Sequence, residues 1–114
     1  MNFLEICKKY NDKIAVVFEN KSLCYGELDF QSSKIAEQLK KLGVKKNDNV
    51  AIKLSQNINY ISAIFGIWKV GAAYVPLGVN TPFERAQKIC DDCKVSAIID
   101  ENFLTEAEKL HPLG

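Results

Sequence analysis

Apolar and polar positions along this 114-residue chain recur with periods that switch between those of helices and strands. Residues Asn2–Tyr10 place four apolar or aromatic side chains on one face, which predicts a short helix. Two short apolar runs, Ile14–Phe18 and Leu23–Tyr25, flank the turn-forming residues 19–22. This arrangement predicts a β-hairpin directly after the first helix.

The pattern after the hairpin alternates between helix and strand. Residues 26–42 carry an apolar stripe at helical spacing, and Gly43 follows it as a helix-ending glycine. The segments predicted next are a strand at 49–54, a helix to about 70, a strand at 74–77, a helix to about 92, a strand at 95–99 and a helix at 100–110. This order predicts an α/β fold with a mainly parallel sheet and helices packed on it, preceded by a short helix and a hairpin.

Several residues mark where these elements begin and end. Ser55 or Asn57 is suited to cap the helix that ends at Gly71, and Pro76 predicts that its strand lies at an edge or stops there. Thr81 and Glu84 have the spacing of a capping box around Pro82, which predicts Thr81 as the N-cap. Pro112 is expected to stop the last helix.

The helix at 58–70 is apolar nearly all round, which is typical of a helix buried on several sides. We expect a small domain to leave part of such a helix exposed. The sequence therefore predicts marginal stability or self-association through exposed apolar surface.

Composition and charge narrow the classes of partner. The formal net charge of +1 gives no broad field toward nucleic acid or an anionic membrane, and neither is expected as a partner. Four lysines cluster at 40, 41, 45 and 46; a phosphate-binding patch is one interpretation, and a solvated helix end is the favoured one. No secretory signal or membrane-spanning run is recognisable, so we expect a cytoplasmic protein comprising one partial domain, residues 1–114.

The four cysteines include a Cys-x-x-Cys pair, Cys90 and Cys93. Such a pair is compatible with a redox site or half of a zinc site. It falls late in a predicted helix, whereas a redox pair places its first cysteine at a helix N-terminus. A structural zinc site needs four ligands, and Cys7, Cys24 and His111 are spread irregularly. We therefore favour reduced cysteines that pack.

Two motifs, in order, resemble the start of the adenylate-forming (AMP-binding) superfamily, which includes acyl-CoA synthetases, luciferases and the adenylation domains of nonribosomal peptide synthetases. The residues Leu23–Leu28 (Leu-Cys-Tyr-Gly-Glu-Leu) resemble its first core motif. Trp68–Leu77 resembles the second core motif, and Pro82–Arg85 matches the Pro-x-Glu-Arg that follows it. The resemblance implies that the chain is a partial amino-terminal subdomain of that fold.

The chain departs from the family pattern at three informative positions. Cys24 stands where the motif has threonine or serine, which predicts a weaker cap on the following helix. Gly78 replaces an aspartate, and Trp68 replaces a smaller residue, which indicates local repacking. Glu27 is interpreted as a cap rather than an acid or base, and Arg85 as an interface or surface cation rather than an anion ligand.

The resemblance implies ATP-dependent activation of a carboxylate, with magnesium, and transfer of the acyl group to a thiol such as that of a carrier protein. This chemistry needs a glycine-rich phosphate loop and a catalytic lysine, and neither is recognisable among these residues. Gly66 and Gly71 have phosphate-loop spacing, but Ala72 and Ala73 follow in place of Lys-Ser/Thr. We therefore assign no catalytic, cofactor-binding or metal-binding residue in this chain and expect it to be inactive alone.

Three hypotheses follow from the sequence. The first is an amino-terminal scaffold fragment of an adenylate-forming ligase, whose partners are the rest of that enzyme and a carrier protein. The second is a non-catalytic α/β interaction module or split subunit derived from the same family. The third is an unrelated small α/β ligand-binding protein, which requires both motif matches to be accidental.

Overall fold

A computed structural model describes residues 2–55 and 57–110. Five helices and five strands are present in these ranges: α1 Phe3–Lys9, β1 Ile14–Phe18, β2 Lys21–Cys24, α2 Tyr25–Lys41, β3 Asn49–Ile52, α3 Ile58–Lys69, β4 Ala73–Pro76, α4 Phe83–Asp92, β5 Val95–Ile99 and α5 Glu101–Glu108. The predicted order of elements is confirmed. The boundaries differ by one or two residues at most ends, because terminal turns and strand ends depend on tertiary contacts.

The amino-terminal unit consists of α1 and the antiparallel hairpin β1–β2. Asn2 caps α1, with its side-chain oxygen accepting a hydrogen bond from the Glu5 amide at 2.9 Å. Glu19 in the hairpin turn adopts a positive φ of 55°. The predicted short helix and hairpin are therefore both present.

The main sheet has three parallel strands in the order β4-β3-β5. Strand β3 is central, and Val50, Ala51 and Ile52 are fully buried in it. The chain leaves β3 through α3 to reach β4 and then crosses through α4 to β5 on the other side. The predicted α/β class with a parallel sheet is confirmed.

Two layers of helices enclose this sheet unequally. Helices α2, α3 and α5 share one cluster with the side of the sheet that carries Val50 and Ile52. Of the described helices, α4 covers the opposite side, where Ala86 packs with Ala51 and Leu77. The α4 side therefore has the thinner cover, and Ile98, which pairs opposite Ala51, is 42% exposed there.

The apolar helix α3 packs against α2 and the hairpin as well as against the sheet. It packs closely along α2, where a Cβ atom on Gly66 would lie 2.5 Å from Ile35 Cγ2. Its amino-terminal part joins a cluster with Leu23 and Leu28 beneath the hairpin. Trp68, at the far end, is 56% exposed, so most but not all of this helix is covered.

Two predicted end signals can be compared with the structure. Pro76 ends β4, which is an edge strand among the described residues, so both expectations for this proline hold. The assignment of Thr81 as N-cap is wrong, because Pro82 occupies the N-cap position without a side-chain hydrogen bond. Thr81 instead closes a turn, with its amide donating to the Gly78 carbonyl at 3.0 Å. Pro112 and His111 lie outside the described residues.

Candidate functional site

The first motif, Leu23–Leu28, forms the junction between β2 and α2. Cys24 is the N-cap of α2 in an extended conformation, and its amide donates to Glu27 Oε1 at 3.0 Å. The Cys24 sulfur faces the first turn as a weak acceptor and forms no regular cap hydrogen bond. The predicted capping role of Glu27 is thereby confirmed, in a capping box with one strong half and one weak half.

The electrostatics of this junction are consistent with the capping role. The hydrogen bond from the Cys24 amide lowers the pKa of the Glu27 carboxyl, and the Cys24 side chain adds to the effect. A carboxylate that accepts backbone hydrogen bonds is stabilised in its charged form. Glu27 is therefore a poor candidate for a proton donor near neutral pH.

The second motif, Trp68–Leu77, runs from the end of α3 through a turn into β4. Gly71 has a φ of +78°, a conformation that favours glycine at the residue after a helix. The Gly71 carbonyl accepts from the Asn47 amide at 2.9 Å, and the Asp48 carbonyl accepts from the Ala73 amide at 2.9 Å. The motif therefore joins α3 and β4 to the loop that leads into β3.

Lys69, within the same motif, connects three helices. Its ammonium group forms an ion pair with Asp29 and donates to Ser33 Oγ at 2.7 Å, both on α2. It also donates to the Asp29 carbonyl at 3.1 Å and lies 5.4 Å from the centre of the Phe3 ring on α1. We call Lys69, Asp29 and Ser33 the lysine network. It ties the carboxyl end of α3 to α2 and, through the Phe3 ring, to α1.

The carboxyl ends of the three parallel strands meet at one edge of the sheet. Open α/β sheets bind ligands at this edge, where connections leave in opposite directions. Here Asn57 caps α3 by accepting from the Asn59 amide at 2.8 Å, and Asp100 caps α5 by accepting from the Phe103 amide at 2.9 Å. The polar side chains at this edge are therefore used as helix caps.

The β4–α4 loop encloses an open cavity of about 600 Å³ at the same edge. Its walls are formed by residues 76–82 together with Arg85 and Ile89. Arg85 is the sole arginine of the chain and is exposed in the first turn of α4. This cavity combines a cation, the start of a helix and the carboxyl edge of the sheet.

The other residues that the sequence offers as phosphate-binding candidates pack against or pair with protein groups. Gly66 lies inside α3 against α2, so close helix packing explains this glycine and it is not part of a phosphate loop with Gly71. Lys40 is exposed and lies 3.6 Å from Glu37. Among the described residues, no group of three or more histidine, cysteine, aspartate or glutamate side chains is arranged to hold a metal ion. No helix of residues 2–55 and 57–110 is long and apolar enough to cross a membrane.

Sequence reasoning missed the lysine network and the anchoring of Asn49, whose side-chain amide donates to the Cys93 carbonyl at 2.8 Å. Asp29 and Ser33 are four residues apart and share one face of α2, which was the available signal. Their partner, Lys69, is 40 residues from Asp29, and sequence spacing alone does not pair them.

Known proteins resemble this chain over nearly its whole length. The profile described as AMP-binding enzyme matches residues 3–113. N-(5-amino-5-carboxypentanoyl)-L-cysteinyl-D-valine synthase of Penicillium rubens is 41% identical over 110 residues, covering 96% of this chain and 3% of that protein. The chain thus spans a small part of this much longer relative.

Solved structures show the same fold. The NpsA N-terminal subdomain of Klebsiella oxytoca, solved in complex with 3-hydroxyanthranilyl-AMSN, superposes with a TM-score of 0.79 at 21% identity, covering 98% of this chain and 32% of that one. An artificially fused adenylation–PCP di-domain, NpsA-ThdA from the same organism, gives 0.80 at 21% identity, with 98% and 24% covered. At this identity the likeness establishes the fold.

Proposed function

This chain belongs to the AMP-binding enzyme family, and from that premise we propose that it forms the amino-terminal scaffold of an ATP-dependent adenylate-forming ligase. The proposed reaction is activation of an amino acid or another carboxylic acid for nonribosomal peptide synthesis. The observation that carries the proposal is the match over residues 3–113, in which both core motifs serve as junctions between structural elements. The hypothesis of an unrelated α/β protein is wrong, and that of a non-catalytic interaction module is not favoured.

In such a ligase a carboxylate oxygen attacks the α-phosphorus of ATP, which gives an acyl-adenylate and releases pyrophosphate. The charge that develops on the phosphates needs fixed cationic and hydrogen-bonding groups around it. The described residues do not fit magnesium or a triphosphate, because the Asp100 carboxylate at the carboxyl edge of the sheet caps α5 and Gly66 is buried inside α3. In this proposal no step of the reaction takes place on these residues.

The contribution of this chain is positional. The lysine network holds α3 against α2, and the Gly71 turn fixes where β4 begins relative to β3. These contacts place the β4–α4 loop and the caps of α3 and α5 along one edge of the sheet. A framework of this kind keeps catalytic groups from other parts of an enzyme in register.

A carrier protein is the proposed downstream partner, and the remaining part of the ligase is the proposed direct one. The fused adenylation–PCP structure supports this partner class, because its fold contains the fold of this chain. The small share of the Penicillium synthase that is covered supports the same view, since its other segments are available to supply the remaining groups.

The direct test is ATP–pyrophosphate exchange by the 114-residue chain with a panel of amino acids and aryl acids. We expect exchange no higher than the blank without enzyme. Robust exchange by the isolated chain would overturn the scaffold proposal.

A chimera tests the positive half of the proposal. Residues 3–110 replace the corresponding segment of an adenylation domain with known activity, and exchange is measured with that domain's own substrate. We expect activity to be retained, and to fall when the chimera carries Lys69→Met, while Lys109→Met, an exposed control, leaves it unchanged. A folded chimera without exchange would argue that the segment is not a functional scaffold.

A further inference from the structure

The geometry points to a modification site that the ligase function does not use: we propose that Cys90 and Cys93 form a reversible intramolecular disulfide. Both cysteines carry free thiols and are half-buried. They are three residues apart at the carboxyl end of α4, so they lie on one face of the helix. The bond would close the last turn of this helix.

A disulfide requires the last turn of α4 to tighten slightly. Side chains three residues apart in a helix have Cβ atoms about 5–6 Å apart, whereas a disulfide needs about 3.5–4.5 Å. Cys93 is the C-cap residue, and Lys94 turns the chain out of the helix with a φ of 52°. Cys93 itself keeps helical backbone angles and its amide donates to the Ile89 carbonyl at 2.9 Å, so the two Cβ atoms approach by tightening this terminal turn, beyond which the helix does not continue.

Two contacts hold the pair in place on the sheet. Asn49, the first residue of the central strand β3, donates from Nδ2 to the Cys93 carbonyl at 2.8 Å. Cys90 packs against the cluster of Ala51, Leu77 and Ala86 between α4 and the sheet. Because the backbone of one cysteine and the side chain of the other are anchored separately, the folded chain limits how far the thiols can separate.

The oxidant proposed is a low-molecular-weight disulfide, such as glutathione disulfide. The Cys93 thiolate attacks one sulfur of the oxidant, forms a mixed disulfide and releases one glutathione thiolate. The Cys90 thiolate then attacks the Cys93 sulfur, forms the protein disulfide and releases the second glutathione. The two protein thiols lose two protons and two electrons, and the oxidant gains them as two glutathione thiols.

The order of attack follows from the surroundings of Cys90. Burial raises the pKa of the Cys90 thiol, and the negative charge of Asp91 adds to this effect. A raised pKa leaves less thiolate to begin the exchange. Cys90 therefore acts as the resolving cysteine, for which attack within the molecule compensates for a low thiolate fraction.

The experiment incubates the 114-residue chain with glutathione disulfide, blocks the remaining thiols with N-ethylmaleimide and digests with trypsin. Cleavage after Lys88 and Lys94 releases Ile89–Lys94, which contains both cysteines. We expect this peptide about 2 Da lighter than its reduced form, without added maleimide or glutathione. Cys7→Ser should give the same result, and Cys90→Ser should instead accumulate glutathione on Cys93.

Repeating the equilibrium in urea separates the effect of the fold from that of a flexible Cys-x-x-Cys peptide. We expect the disulfide to be favoured in the native chain over the unfolded chain, by a factor on the order of ten in the exchange constant. Equal constants in both states, glutathione adducts on both cysteines, or bonds between chains would each overturn the proposal.

Discussion

At the scale of single residues, the junction at Cys24 shows a cap with unequal halves. Glu27 accepts from the Cys24 amide at 3.0 Å, whereas the Cys24 sulfur makes no regular cap hydrogen bond. A hydroxyl oxygen accepts hydrogen bonds more strongly than a thiol sulfur. The first turn of α2 therefore has a weaker hydrogen-bond acceptor for its amide groups than a threonine or serine at position 24 would provide.

We predict that Cys24→Thr stabilises the fold by about 1 kcal/mol, because the hydroxyl completes the capping box. Urea denaturation midpoints measure the change. Cys24→Val is the matched control, since it has the shape of threonine without the hydroxyl, and it should give no such gain. An unchanged or lower midpoint for the threonine variant would remove the capping explanation.

Glu27 gives this junction a predictable pH dependence. The Cys24 amide lowers the pKa of the Glu27 carboxyl in the folded state, so this carboxylate adds stability above its unfolded pKa. That contribution is lost as the pH falls through the folded pKa. NMR titration should show Glu27 below the ordinary range of glutamates, and Glu27→Gln should flatten the dependence of the denaturation midpoint on acidic pH. A Glu27 pKa in the ordinary range would contradict this.

At the scale of elements, the contact between α2 and α3 depends on the close approach of the two helices and on one partly buried ion pair at the carboxyl end of α3. Gly66 allows the two helices to meet, since a Cβ atom there would also lie 3.1 Å from the Ser32 carbonyl. Lys69 then fastens the carboxyl end of α3 to Asp29 and Ser33. Its position in the last turn is also favourable to the helix dipole.

We predict that Lys69→Met lowers the free energy of unfolding by about 1–2 kcal/mol, because Asp29 and Ser33 lose a charged partner at a partly buried site. The control is Lys109→Met, whose ion pair with Glu106 is exposed on both sides, and which should cost under about 0.5 kcal/mol. A double-mutant cycle with Asp29→Asn measures the coupling. Equal effects of the two lysine substitutions would show that the network carries no special weight.

At the scale of the whole molecule, the helices cover the two faces of the main sheet unequally. Within residues 2–55 and 57–110, three helices pack on one side of the sheet and α4 packs on the other. Strands β4 and β5 each pair with β3 alone among the described strands. Exposed sheet edges beside an apolar face favour association between molecules.

We predict that the chain associates with increasing concentration, and that Ile98→Lys weakens this association by placing a charge on the thinly covered face. Val17→Lys is the control, because Val17 is apolar, lies on the hairpin and is even more exposed (66%) than Ile98 (42%); it should have a smaller effect. Sedimentation velocity over a concentration series measures both. A monomer at all concentrations would contradict the prediction.

The sequence by itself determined the order and type of the elements and the family. Periodicity, the helix-ending Gly43 and Gly71, and the capping residues act over a few positions, so they are readable locally. Pro76 likewise fixed the end of its strand. The absence of an assignable catalytic residue remains a prediction from the sequence.

The tertiary structure decided how distant residues meet. It paired Lys69 with Asp29, tied Asn49 to Cys93 and drew Thr81 into the preceding turn rather than the helix cap. It also covered most of α3 while leaving Trp68 exposed. Local pattern cannot give these contacts, because the free energy of a contact depends on which surfaces packing brings together rather than on spacing along the chain.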